Sequence, residues 1–308
     1  MKKYIIILLF LSGIVYIFSQ LKNQKYEKNL DEKKFLEQKE NSWENGLTHI
    51  KESNRVKIAI LDSGISKNHP DLVGKIKGEY NAINVDEPIV DNLGHGTAIA
   101  GIIAAKDNDK GVVGISPESD IFSVKVLSDS GEGDIGSLIR GIEWCINNEM
   151  DIVNISFGLG ANNLELRGTI DKAIQKNIII VAAAGNNYIS KVEYPAKFAN
   201  VISVGAIDSN LQRASFSSTG KIDFTAPGVN ILSTNNLGGY ERYSGTSFAT
   251  AYVTGIIAKV ISEEEHYNDS IKEGKVDAVK DLLKKLSVDA GRTGYDNEYG
   301  YGILRLED

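Results

Sequence analysis

Cysteine is nearly absent from this chain. Cys145 is the only one in 308 residues, which excludes an internal disulfide, so an exported form must draw its stability from packing and bound ions. Cys145 lies in the helical-looking stretch Leu138–Ile146, where a buried structural thiol is expected rather than a reactive one. A basic excess is missing too. The 34 Lys and Arg are outnumbered by 41 Asp and Glu, a net charge of −7, which argues against nucleic acid as a partner. No run of six like charges marks an interaction tail, and there is no internal repeat or low-complexity segment. What the chain does have is 42% hydrophobic residues, enough for one large core and an appendage.

The appendage is N-terminal. Met1-Lys2-Lys3 precedes an apolar run from Tyr4 to Phe18, broken only by Ser12 and Gly13. A spanning helix wants about 20 residues, and a shorter run fits a signal-peptide core as well. Neither a small-x-small cleavage site nor a lipobox cysteine follows. Residues 1–21 therefore read as an uncleaved signal-anchor with Lys2 and Lys3 inside, the alternative being a cleaved signal peptide. Residues 22–40 alternate Lys and Glu and suit a charged tether. Residues 41–308 are left as the folded domain, expected outside the cytoplasm, held at the membrane by the N-terminal segment or secreted.

From Arg55 onward, short apolar runs alternate with helical patterns. Strands are expected at Val56–Leu61, Ile121–Leu127, Ile152–Ser156, Ile178–Ala183 and Val201–Val204. Helices are expected at Thr97–Ala105, Ile135–Asn147, Leu164–Lys176, Phe248–Ser262 and Val276–Leu286. Runs without polar alternation mark strands buried on both faces. Strands alternating with helices imply right-handed crossovers, hence an α/β fold of three layers with a mostly parallel central sheet and helices on both faces. Sites in such sheets form beyond the carboxyl ends of the strands, and Asp62 is expected just past the first, Val56–Leu61.

Three segments carry the chemistry: Ala59-Ile60-Leu61-Asp62-Ser63-Gly64, Gly94-His95-Gly96-Thr97, and Gly245-Thr246-Ser247-Phe248-Ala249. Each sets a chemically competent side chain among small residues at the edge of an apolar run. Ser247 would be a nucleophile at the positive end of the following helix. His95, whose intrinsic pKa suits proton transfer near neutrality, would be the base. Asp62 would hold the imidazole. Singly, Ser247 could be an ordinary N-cap and Asp62 a strand-end cap. His49 and His266 lie in polar surroundings and His69 in a turn, which leaves His95 the candidate base.

In its Asp…His…Ser order and flanking residues the chain resembles the subtilisin family of serine proteases, nearly continuously from Trp43 to Gly302. The resemblance implies a serine endopeptidase acting on peptide or protein substrates through an acyl-enzyme, without an organic cofactor. It implies that Asn186, ending Val181-Ala182-Ala183-Ala184-Gly185-Asn186, donates its amide to the oxyanion. It implies two substrate-pairing segments, Ser130-Gly131-Glu132-Gly133 and Ser156-Phe157-Gly158, with Ile135, Leu138 and Phe157 lining an apolar pocket; core packing alone would also explain those three. The position of Glu193, before Tyr194-Pro195, corresponds to the floor of the S1 pocket. A carboxylate there would select Arg or Lys at P1, as trypsin's acid does, unless it turns to solvent or pairs with Lys191. Asp71 and Asn108 match side-chain ligands of a structural calcium site, with carbonyls of Lys106, Lys110 and Val112 completing an oxygen cage; a solvated polar loop is the alternative. The family's glutamine ligand has Asn41 as its nearest counterpart. After the nucleophile, Thr250-Ala251-Tyr252-Val253-Thr254-Gly255 stands where the family usually has Ser-Pro-His-Val-Ala-Gly. The stretch before the domain is short for the family's folding pro-domain. The implied roles range from a processing protease with basic P1 preference to a broad degradative enzyme, or, from another class, an inactive binding protein.

Overall fold

Alternation of apolar side chains to opposite faces decides the architecture of the computed structural model, which describes residues 55–188, 191–263 and 275–306. In β1 (Lys57–Asp62), Ile58 and Ile60 enter one core cluster while Ala59 and Leu61 enter another. A strand with two buried faces needs a continuous apolar run, as this one has. β5 (Ile179–Ala183) divides in the same way, Ile179 and Val181 against Ile180 and Ala182.

The central sheet has seven parallel strands, adding β2 (Ile76–Asn81), β3 (Asp120–Lys125), β4 (Ile152–Ile155), β6 (Ile202–Ile207) and β7 (Phe224–Pro227), in the order β2-β3-β1-β4-β5-β6-β7. Helices α1 (His95–Ala104), α4 (Thr246–Glu263) and α5 (Lys275–Leu286) pack on one face. Helices α2 (Ile135–Asn147) and α3 (Leu164–Gln175) pack on the other. A hairpin of β8 (Ile231–Thr234) and β9 (Tyr240–Tyr243) stands apart from the sheet, with β8 against α1. The three-layer expectation holds. Cys145 is buried within α2, and burial pushes its thiol pKa far up, so it is a core residue.

The chain leaves β1 for the edge strand β2, returns at β3, and then builds outward from β1 on the other side. That reversal puts the carboxyl end of β1 beside a crevice, where ligands bind in open parallel sheets. Two boundaries matter for the site. Asp62 closes β1 instead of following it, and α4 begins at Thr246, so Ser247 lies inside the first helical turn. Strands β2, β7, β8 and β9 were not anticipated. β2 is a half-exposed edge strand with Lys, Gly and Glu among its six residues, and β7 is a four-residue edge closed by Pro227. Residues 1–21, the tether 22–40, Asn41, His49 and His266 lie outside the described residues. Among the described residues, no helix is long and apolar enough to cross a membrane.

Candidate active site

Asp62 is fully buried at the end of β1, and Ser63 N donates to its Oδ1 at 2.8 Å. Gly94, with φ +82°, turns the chain so that α1 begins at His95. The next residue must be glycine as well, because a Cβ on Gly96 would collide with the Gly64 carbonyl and lie 3.1 Å from Asp62 Cβ. This close approach puts His95 Nδ1 2.8 Å from Asp62 Oδ1 and 2.9 Å from Oδ2. A proton on Nδ1 leaves Nε2 as a free acceptor. Burial pulls the imidazole pKa down, but the Asp62 charge, the hydrogen bond to it and the Asp91 charge outweigh burial and raise it above 6.5.

Ser247 is buried in the first turn of α4, where backbone N–H groups lack helical partners and the dipole favours negative charge. Its hydroxyl donates to the Ser156 carbonyl at 2.7 Å. Behind it runs a buried polar chain that ties β4 to α4. Thr254 Oγ1 donates to Asn154 Oδ1 (2.9 Å), Asn154 Nδ2 to Ser156 Oγ (2.8 Å), and Ser156 Oγ to the Ser247 carbonyl (3.3 Å). The Phe248 ring lies 5.5 Å from the imidazole, with Tyr243 stacked on its other side at 5.0 Å.

Asn186 follows β5 and is held by its oxygen: Thr246 N and Oγ1 donate to Oδ1 at 2.9 and 3.0 Å. Its Nδ2 has no acceptor among the described residues, and it would lie 3.3 Å from a Cβ on Gly245. The amide therefore presents its donors next to the Ser247 turn.

The expected cleft residues also converge. Glu193 N donates to the Ala184 carbonyl, and Tyr194 pairs with Leu159 through two backbone bonds of 2.7 and 3.0 Å. This brings the Glu193 carboxylate between Gly158 and Gly185. A Cβ on Gly158 would collide with it, and one on Gly185 would come within 3.0 Å of Oε2. Asn187 Nδ2 donates to Glu193 Oε1. Gly133 bridges Leu127, and a Cβ there would lie 3.3 Å from the Phe157 ring. Phe157 and Ile135 pack on the cluster that contains the fully buried Leu138. Gly131, at φ +80°, bends the chain beside Leu93. Asp134 caps α2 by accepting from Ser137 N at 2.9 Å.

The five residues expected around a cation also neighbour one another. Asp71 is fully buried and accepts from Asn108 Nδ2 (3.1 Å), Val112 N (3.3 Å) and Tyr240 Oη (2.8 Å), while Lys106 N donates to its carbonyl at 3.0 Å. Lys110 N donates to Asn108 Oδ1 at 3.2 Å. Among the described residues, the carbonyls of Lys106, Lys110 and Val112 accept no hydrogen bond, and no group of three or more His, Cys, Asp or Glu side chains could hold a metal. One carboxylate, one amide and three open carbonyls fit a hard, oxygen-preferring cation. They do not make a transition-metal site.

Residues to which no motif assigns a role complete the picture: Ser63, Asp91 and Lys125 beside the His95–Asp62 pair, and Asn154 and Thr246 beside Ser247 and Asn186. Their signal is faint. Asp91 stands four residues before His95 and looks like an ordinary loop acid.

A family model described as the subtilase family matches residues 53–302. A protein named subtilisin from Bacillus pumilus is 40% identical over 258 residues, covering 82% of this chain and 90% of that one. Subtilisin E from Bacillus subtilis (strain 168) is 40% identical over 258 residues, 82% of this chain and 65% of its own. The minor extracellular protease Epr of the same organism is 39% identical over 268 residues, 86% of this chain and 39% of its own. The chain thus spans between about two-fifths and two-thirds of the length of several curated relatives.

Proposed function

Because the chain belongs to the subtilase family, we propose that it is a serine endopeptidase in which Ser247 is the nucleophile, His95 the general base and acid, Asp62 the orienting carboxylate, and Asn186 the side-chain donor to the oxyanion. The observation that supports this best is the His95–Asp62 contact at 2.8 Å, which occupies Nδ1 and leaves Nε2 to accept a proton. Rotation about χ1 of Ser247 moves its hydroxyl from the Ser156 carbonyl toward Nε2. As Oγ bonds to the scissile carbonyl carbon, its proton passes to Nε2 and the carbonyl oxygen becomes an oxyanion. Asn186 Nδ2 and the helix terminus meet that charge. Collapse expels the amine, which takes the proton from His95 and leaves an acyl-serine. Water then repeats the sequence, and its proton again travels through His95. Ser247→Ala, His95→Ala and Asp62→Asn should each nearly abolish peptide hydrolysis, and pairs should be no worse than the poorest single, because the three act as a unit. Additive losses would overturn the assignment.

The substrate class follows from Glu193. The closeness of its carboxylate to Gly158 and Gly185 supports the reading in which a P1 side chain ends there, favouring Arg or Lys and a processing role over general degradation. Extended substrate would pair with the edges at Gly131–Gly133 and Ser156–Gly158. Calcium, when bound, would neutralise Asp71 and tie its loop to the hairpin. Asp71, the Asn108 amide turned to present its oxygen, and the carbonyls of Lys106, Lys110 and Val112 would hold it. The extracellular relative favours a site of action outside the cytoplasm, with residues 1–21 as the membrane anchor. Fractionation of the full-length chain with membranes, and its removal by external protease, would test that anchor.

A further inference from the structure

A second buried carboxylate stands behind the dyad. Asp91 is only 6% exposed and accepts four hydrogen bonds: from Ser63 Oγ (2.8 Å) and Gly94 N (2.8 Å) on Oδ1, and from Thr97 N (3.0 Å) and Thr97 Oγ1 (2.5 Å) on Oδ2. α1 has no side-chain cap of its own at Gly94. Asp91 supplies one from outside, binding two of the orphan N–H groups that flank His95.

Ser63 joins the two carboxylates. Its hydroxyl has one proton and two acceptors, Asp91 Oδ1 at 2.8 Å and Asp62 Oδ1 at 3.2 Å, and it accepts from Gly96 N at 3.1 Å. Asp91 is the nearer acceptor, so it sets the rotamer of Ser63, and Ser63 in turn packs against the oxygen that holds His95. Lys125 clamps the same residues from β3, donating to the Ser63 carbonyl at 2.7 Å and the Val90 carbonyl at 3.2 Å, with Asp129 as its own anionic partner at 3.0 Å. From α4, the uncharged Phe248 ring lies against the imidazole, and Tyr243 of β9, whose hydroxyl is pushed up to about 12 by burial, stacks on Phe248.

We propose that Asp91 is a positioning residue for the His95–Asp62 pair: through Ser63 and the first turn of α1 it fixes the imidazole on Asp62, and its charge favours the imidazolium formed when Ser247 loses its proton. This rests on the peptidase reading above but is read out separately. The imidazole of His95 is titrated by NMR in the Ser247→Ala chain, which cannot self-digest under that reading. Adding Asp91→Asn should move the midpoint to lower pH, whereas Thr97→Val, which keeps the charge and loses the hydroxyl's two hydrogen bonds, to Asp91 Oδ2 and from Ser66 N, should lower the melting temperature and leave the midpoint in place. In the active chain, Asp91→Asn and Ser63→Ala should each lower kcat by about tenfold with KM within about twofold. An unmoved midpoint in Asp91→Asn, or equal movement in Thr97→Val, overturns the proposal. Should Asp91→Asn fail to fold, Ser63→Ala decides: a fall in kcat supports the link, and an unchanged kcat removes it. Activity that survives Ser247→Ala would instead overturn the peptidase reading, leaving the titration to judge Asp91.

Discussion

The Glu193 carboxylate occupies the space that a side chain on Gly158 would take. Glycine stands at 158 where the acid needs room, and Asn187 Nδ2 donates to one carboxylate oxygen. An ion here pairs well with a P1 guanidinium or ammonium, whereas a bulky apolar P1 group would strip its water without replacing it, which costs several kcal/mol. Wild type should therefore favour Arg or Lys over Phe or Leu in kcat/KM by at least about tenfold, roughly 1.4 kcal/mol. Glu193→Ser should move the preference toward apolar P1. A peptide library reads both, and an unchanged ranking in Glu193→Ser would place the carboxylate outside specificity.

The raised pKa of His95 gives a pH prediction. The base must be neutral to accept the Ser247 proton, so kcat/KM should fall on the acid side with a midpoint above 6.5. Stability runs the other way. A group whose folded pKa is raised stabilises the protein fully below its unfolded value, and that contribution is lost as pH rises through the folded value. Denaturant unfolding of Ser247→Ala against Ser247→Ala/His95→Gln should show the difference shrinking as pH rises above 6.5. A difference that grows with pH would contradict the assigned environment.

Calcium should act through the native state alone, by mass action. Chelator is expected to lower the melting temperature of the wild type and to affect Asp71→Ala much less. Equal sensitivity of the two would remove the loop around Asn108 as the site.

Lys221 offers a test of the sheet's far edge. Its ammonium is held by Asp223 and by the carbonyls of Ala196 and Val201, but burial outweighs the attraction of Asp223 and lowers its pKa to about 8 from 10.5. Between those values the unfolded chain holds the proton and the folded one releases it, so stability should rise with pH over that window relative to Lys221→Met. Urea titrations of the two, each carrying Ser247→Ala, would show it. Parallel curves from pH 8 to 10 would contradict the burial.

The layered fold was legible because both faces of β1 and β5 are buried, which leaves long unbroken apolar runs to read. β2, β8 and β9 were not, since edge strands and exposed hairpins need no such runs and their pairing is set by distant partners. At the candidate site, Asp62, His95 and Ser247 stand out by their small-residue flanks and Asn186 by the family resemblance, and one flank has a steric cause: a Cβ on Gly96 would meet the Gly64 carbonyl and Asp62. Asp91 and Ser63 were opaque for the opposite reason. Nothing local distinguishes a buried loop carboxylate from a solvated one, and only the packing of α1 against β1 reveals its four donors. The rotamer of Ser247, directed to the Ser156 carbonyl, was likewise invisible, because that contact joins residues 91 positions apart.

The identity of the nucleophile is the centre of the account, and covalent labelling tests it most directly. The full-length protein treated with a fluorophosphonate at pH 8 and digested for mass spectrometry should carry a single adduct on the peptide containing Ser247. That adduct should be absent from Ser247→Ala and strongly slowed in His95→Ala. An unlabelled chain, or an adduct on another serine that persists in Ser247→Ala, would contradict it.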